Sequence, residues 1–300
     1  MTADDSMPRR PAGEQPREFR RDVNGVSIVG FEWEGEGAPI LLAHATGFHA
    51  RVWDEVARYL PGRRVIALDL RGHGRSSKPA PPYSWHLFSE DVAHLVDDLD
   101  LTHIIGVGHS MGGHTVADAA VHRPSRFDAL VLVDPTIFAI DRAAPPSGAF
   151  DFVRRRRNEW ASPAEMVERF APRFPFSEWD PQVLSDYATY GLLPNPDGEG
   201  YVLACPPDVE ASIYGGRETE GADILPALAG VTIPVRVLRA KPPEPGVEAA
   251  PFTVSPTMVD LASKFPAGTD VPLPELTHFI PMQAPALVAR EIMLAAEGVS

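Results

Sequence analysis

The chain has 300 residues, 44% hydrophobic and 23% charged, with a formal net charge of −14 and a single cysteine, Cys205. That length fits one large domain with an insertion, or two modest domains, around a sizeable core. The acidic balance excludes nucleic acid as a partner, because phosphate binding needs a basic face. One cysteine excludes an internal disulfide and a thiolate metal cluster. No apolar run approaches the roughly 20 residues of a membrane helix, so no membrane partner is expected. The opening MTADDSMPRRPAGEQPREFRR lacks the apolar segment of a secretory signal. A reducing cytoplasm is the expected compartment.

Residues 1–20 read as a disordered arm. Strand character begins at Val26 and runs to Trp33. PILLAH at 39–44 is a short buried strand. Residues 51–60 place Val52, Trp53, Val56 and Tyr59 on one side of a helix, and RVIALDL at 64–70 is strand again. Over 84–100, Leu87, Phe88, Val92, Leu95, Val96 and Leu99 fall near helical spacing. Strand at 102–107, helix at 111–122 and strand at 129–133 follow. Such alternation predicts a parallel sheet covered by helices on both faces.

After Pro135 the strand period disappears. Residues 138–218 are rich in aromatics and prolines, with Trp160, Phe174, Phe176, Trp179 and Tyr187 among them. They are read as a mainly helical insertion, in which any one aromatic is better explained as core than as ligand contact. The run Arg154-Arg155-Arg156-Arg157 within it reads as a solvated helix face. Strand character returns at 233–238 and 269–273, and a last helix covers 285–296.

IIGVGHSMGG at 104–113 carries the sharpest chemical signal. Gly108-x-Ser110-x-Gly112 ends a buried strand and opens a helix, which is the context of a nucleophile elbow. The turn is tight, so small residues must flank the serine, and its Oγ is lifted above the carboxyl edge of the sheet. The helix N-terminus offers backbone N–H groups and a positive dipole end to a developing oxyanion. A serine nucleophile needs a base. Of ten histidines, His278 is the best placed: it follows a late strand, precedes the last helix, and so reaches the edge that carries Ser110. His109 and His114 are read as packing or hydrogen-bonding groups around the elbow. His86, His94, His103 and His122 are read as surface or satisfied residues.

LLAHATGF at 41–48, DLRGHGRS at 69–76, GHSMGG at 108–113, LVLVDP at 130–135 and LTHFIP at 276–281 occur together and in order. With this set the chain resembles the α/β-hydrolase fold family over about residues 24–136 and 220–298. The resemblance implies an α/β fold with a mostly parallel eight-stranded sheet flanked by helices and a helical cap inserted after the sixth strand. The expected division is core at 21–136 and 220–300 and cap at 137–219. It also implies an oxyanion hole built from the N–H of Met111 and a donor in the loop after PILLAH. The family's usual His-Gly-x appears here as His44-Ala45-Thr46-Gly47-Phe48, so Thr46 is the donor by position, with Gly47 or Phe48 taking its place if the loop is shifted. His44 is expected to brace that loop, and Asp69, Arg71 and His73 are read as structural.

The acid that orients the base is less clearly marked. The family often places it after the seventh strand as Gly-x-x-Asp, but here that strand leads into Arg239-Ala240-Lys241-Pro242-Pro243-Glu244-Pro245. Some members place it after the sixth strand, where Asp134 stands. Asp134 is favoured over Glu244 because a carboxylate at a strand end is better fixed than one in a proline-rich loop. Phe48 and Phe279, beside the oxyanion loop and the base, are the expected pocket residues.

A serine rather than an aspartate at the elbow argues against epoxide hydrolysis and dehalogenation. No phosphate loop or dinucleotide fingerprint occurs, so no cofactor is expected, and no histidine pair on one helix face suggests a metal. Two classes remain for a small-molecule partner. One is a serine hydrolase of a carboxylic ester, thioester or lactone, or of a carbon–carbon bond. The other is a low-turnover ligand-binding protein on the same shell. Nothing in the sequence specifies an oligomeric state.

Overall fold

The computed structural model describes residues 7–139, 150–216, 219, 221–244, 246 and 252–298. The chain opens with strands β1 (Arg17–Val23), β2 (Val26–Trp33) and β3 (Glu36–Ala43). Helix α1 (Asp54–Arg58), strand β4 (Arg63–Asp69) and helix α2 (Trp85–Asp98) follow. Strand β5 (Ile104–His109), helix α3 (Met111–His122) and strand β6 (Phe127–Val133) complete the first half. One eight-stranded sheet runs in the order β1-β2-β4-β3-β5-β6, then β10 (Val235–Arg239) and β11 (Gly268–Pro272). The pairs β1–β2 and β2–β4 are antiparallel, and the rest are parallel.

The central strands are continuous apolar runs because both of their faces are buried. Alternate residues serve opposite layers. Ile40 and Leu42 of β3, with Ile105 and Val107 of β5, face a core shared with α1 and the last helix. Leu41, Ala43 and Ile104 face a second core built with α2 and α3. The predicted helix over 111–122 coincides with α3, and the other predicted core elements lie within a few residues of those observed.

The reading of residues 1–20 as a disordered arm is corrected for the part that is described; residues 1–6 lie outside it. Residues 17–20 belong to β1, whose burial pattern leaves only Phe19 and Val23 inside. An edge strand kept charged on its open side resists pairing with other chains, and it reads as polar in sequence. Asn24 and Gly25 (φ 47° and 74°) form the β1–β2 turn, as an Asn-Gly hairpin requires. Ahead of β1, Arg10 is buried and donates from Nε to the Ala57 carbonyl at 3.1 Å.

Between β6 and β10 lie α4 (Asp151–Arg154), α5 (Pro163–Phe170), α6 (Pro181–Tyr190) and α7 (Pro207–Gly216). The segment also holds a small antiparallel sheet of β7 (Glu159–Trp160), β8 (Leu192–Pro194) and β9 (Tyr201–Leu203), in the order β7-β9-β8. The predicted insertion is therefore helical with a three-stranded ribbon. Strands of two or three residues are too short to show a period of two. Residues 140–149 and 217–218 of the expected cap lie outside the described residues. After β11 come α8 (Ile280–Gln283) and α9 (Pro285–Glu297). Among the described residues no helix is long and apolar enough to cross a membrane.

Candidate active site

Strand β5 delivers Ser110 to the carboxyl edge of the sheet in a strained turn, with φ 55° and ψ −117°. A non-glycine residue holds such angles only where its surroundings over-determine them. Here the Ser110 N–H donates to the Val133 carbonyl at 3.0 Å, and the Ser110 carbonyl accepts from the Thr136 N–H at 3.1 Å. The flanking glycines are required by contact: a Cβ on Gly108 would overlap the Gly112 carbonyl, and one on Gly112 would overlap the Ala43 carbonyl. Gly112→Ala is therefore expected to destabilise the protein by about 3 kcal/mol or more through overpacking. The corresponding fall in Tm is roughly 5 °C or more. A variant that melts with the parent would contradict so close an approach of α3 to β3.

His278 stands 3.0 Å from Ser110 through Nε2, and its Nδ1 stands 2.7 Å from Asp134 Oδ2. Asp134 follows β6 in a left-handed conformation (φ 44°), is fully buried, and receives three further donors on Oδ1. These are the Ala240 N–H at 3.0 Å, the Thr257 hydroxyl at 3.2 Å and the Ser255 hydroxyl. With Asp134 accepting at Nδ1, His278 carries its proton there and presents a free Nε2 lone pair to the serine. The Ser110 proton then points at His278, and Thr136 Oγ1, at 3.1 Å, donates to Ser110 Oγ. Glu244 takes no part in this chain: its exposed carboxylate pairs with Lys241 at 3.1 Å.

The loop after β3, where the oxyanion donor is expected, is equally ordered. Gly47 N–H donates to His73 Nε2 at 3.0 Å, and Phe48 N–H to the Ala45 carbonyl at 3.2 Å. The Thr46 and Met111 N–H groups have no acceptor among the described residues, and the Thr46 hydroxyl bonds Met111 Sδ at 3.3 Å. His44 donates from Nδ1 to the Ala45 carbonyl at 2.8 Å and accepts the Leu70 N–H on Nε2 at 3.1 Å. His73 donates from Nδ1 to the Arg71 carbonyl at 2.9 Å. Burial holds His44 well below the usual histidine range and pushes His73 down to about 3, so both stay neutral and keep these tautomers. His109 donates from Nε2 to the His278 carbonyl at 2.8 Å, which fixes the loop carrying the base; burial pushes it to about 3 as well.

Asp69 accepts the Ala50 N–H at 2.7 Å and the Arg75 N–H at 2.8 Å, and Arg71 pairs with the buried Asp91. Both are structural, as the sequence suggested. His114 bonds the Ala222 carbonyl at 2.7 Å, while His103 lies against the half-buried Asp128 and His122 against the buried Asp118.

A cavity of about 380 Å³ opens on Ser110, His278 and Thr46. Phe48 and Phe279 both line it, 6.1 Å apart between ring centres. Of the insertion's aromatics, Trp160, Phe176 and Tyr187 line it too; Trp179 is buried against Phe48 and Phe279, and Phe174 is 56% exposed.

The arginine run is not one solvated face. Helix α4 ends at Arg154, so the next residues diverge. Arg156 turns inward to pair with the buried Glu210 and to donate to Tyr187 Oη at 3.0 Å. Arg157 pairs with Glu165 at 2.6 Å and lies 4.3 Å over the Trp160 ring. Burial works against the Arg156 charge, but Tyr187 and Glu210 outweigh it and raise its pKa; burial also raises Glu210.

Thr136, Ser255, Thr257 and the Arg156–Glu210 pair are site residues that sequence reasoning missed. Only Thr136, two positions after Asp134, had a signal close by in the chain. Among the described residues, no three His, Cys, Asp or Glu side chains cluster as metal ligands.

The alpha/beta hydrolase fold family matches residues 38–178. Lipase LipV of Mycobacterium tuberculosis is 30% identical over 208 residues, which cover 68% of this chain and 76% of that protein. 3-Oxoadipate enol-lactonase 2 of Acinetobacter baylyi is 28% identical over 200 residues, 66% of this chain and 69% of its own. In fold, the crystal structure of E-2-(acetamidomethylene)succinate hydrolase superposes with a TM-score of 0.75 at 23% identity, covering 94% of this chain and 99% of that one. The chain belongs to the alpha/beta hydrolase fold family and is a hydrolase.

Proposed function

We propose that the protein is a serine hydrolase that cleaves a carboxylic ester, thioester or lactone of a small to medium, largely apolar substrate through an acyl-enzyme. What carries this reading is one continuous hydrogen-bonded chain, Ser110–His278–Asp134, opening on a cavity. Ser110 Oγ attacks the carbonyl carbon while His278 Nε2 takes its proton. The Met111 and Thr46 N–H groups hold the oxygen of the tetrahedral intermediate. Asp134 stabilises the imidazolium that forms. His278 then gives the proton to the leaving oxygen or sulfur, and a water activated by the same base releases the acid. Relatives named as a lipase and an enol-lactonase are in keeping with an ester or lactone bond. A ligand-binding protein of low turnover would need no such alignment. The cytoplasm remains the proposed compartment, in keeping with the one buried, unpaired Cys205.

Stopped-flow mixing with 4-nitrophenyl butyrate tests the acyl-enzyme. The expected record is a burst of about one nitrophenolate per protein followed by steady turnover. Release no faster than in protein-free buffer would reject the reading.

A further inference from the structure

The cavity on Ser110 has an unusual charge for this chain. Acidic residues outnumber basic ones by 41 to 27, yet the cavity wall holds Arg156, Arg157, Arg169 and Arg173 against a single carboxylate, Glu210. Elsewhere the acidic surplus takes up arginines readily: Arg64, Arg71, Arg123, Arg236 and Arg239 all have carboxylate partners. Arg156 is paired within the wall with Glu210, and Arg157 with Glu165 outside it. Arg169, in the last turn of α5, and Arg173, just beyond it, have neither an ion pair nor a side-chain hydrogen bond among the described residues. The same wall carries an apolar part with Trp160, Phe170 and Phe176.

Resting on the hydrolase reading, we infer that the substrate bears a carboxylate, taken by Arg169 and Arg173 while its ester or lactone carbonyl lies at Ser110. An arginine fork binds a carboxylate through two parallel N–H···O bonds, which adds direction to charge. The apolar wall takes the chain between the two ends. The favoured compound is thus an acid at one end and an acyl bond at the other. A wholly neutral ester leaves both guanidinium groups, which are exposed, to water, with Glu165 acting on Arg169 through its charge.

Three probes of similar length test this: neutral 4-nitrophenyl hexanoate, mono-4-nitrophenyl adipate with its acid on the acyl side, and 4-carboxyphenyl hexanoate with its acid on the alcohol side. Each is measured twice: as kcat/KM with the parent protein, and as a calorimetric Kd with Ser110→Ala, which reads binding without turnover. One of the two acids is expected to bind at least about tenfold tighter than the neutral ester, the scale of a hydrogen bond to a charged group. The advantage appears in KM and shrinks with added salt. Arg169→Gln combined with Arg173→Gln brings the ratio of acid to neutral ester close to one. Arg155→Gln, on an exposed side chain outside the cavity, leaves the ratio as it was. Equal binding of all three probes, with Ser110-dependent turnover of the neutral ester, overturns the carboxylate site and leaves the hydrolase reading standing. Preferential, arginine-dependent binding of an acid with no turnover of any probe overturns the hydrolase reading and leaves the anion site.

Discussion

Ser110→Ala is expected to lower kcat on an activated ester by about 10⁵- to 10⁶-fold, the cost of removing a nucleophile from a unit that works together. The folded state should hardly notice. Ser110 is 9% exposed, and alanine keeps the same backbone angles and the same two backbone hydrogen bonds. Only the hydroxyl contacts to His278 and Thr136 are lost. His278→Ala should cost about as much, and the double variant little more than either one, because neither residue acts without the other. Activity and thermal melts on the three variants check this. A Ser110→Ala protein that keeps a tenth of the parent rate would move the chemistry to another group.

The second large effect separates the two candidate acids. Asp134→Asn is expected to reduce kcat by about 10⁴-fold, since an amide at that position favours the wrong histidine tautomer. That corresponds to about 5 kcal/mol of transition-state stabilisation. Glu244→Ala is expected to leave kcat within about a factor of two, because an exposed ion pair such as Glu244–Lys241 contributes little. Side-by-side kcat values on one ester decide the matter. The reverse order of effects would assign the acid to the loop after β10. That loop still has a role: its Ala240 N–H, with the Ser255 and Thr257 hydroxyls beyond it, holds the Asp134 carboxylate that meets His278.

These two predictions differ in how visible their residues are in sequence. The elbow is legible because several local signals coincide. A continuous apolar strand ends in Gly108-x-Ser110-x-Gly112, and the steric need for Gly108 is local to the turn, while that for Gly112 comes from the approach of α3 to Ala43 of β3. His278 is legible from its place between the last strand and the last helix. The acid is only half legible. Asp134 and Glu244 both follow core strands, and what distinguishes them is burial and four converging donors, all from residues more than 100 positions away. The donor of the oxyanion loop was open between Thr46, Gly47 and Phe48. His73 and Ala45 take the Gly47 and Phe48 N–H groups, which supports Thr46 as the proposed donor.

The elements that escaped share a physical reason. Strand β1 exposes charge on most of its length, so hydrophobic periodicity misses it, although its Asn24-Gly25 turn was a usable hairpin signal. The short strands β7, β8 and β9 lack length for any period. Arg154 to Arg157 look uniform in sequence, yet the helix ends after the first of them, and the later side chains fall on different sides of the chain. One enters a buried pair beside the oxyanion loop, where a Cβ on Gly47 would touch both Glu210 and Arg156. Charge patterning assigns such a run to solvent because it has no access to where a helix stops.

Activation of Ser110 is read out by a fluorophosphonate probe followed by peptide mass spectrometry. One covalent adduct is expected on the Ser110 peptide of the parent protein, strongly slowed in His278→Ala and in Asp134→Asn and retained at the parent rate in Glu244→Ala. A folded, monodisperse parent protein that forms no adduct, or forms it at another residue, would contradict that activation.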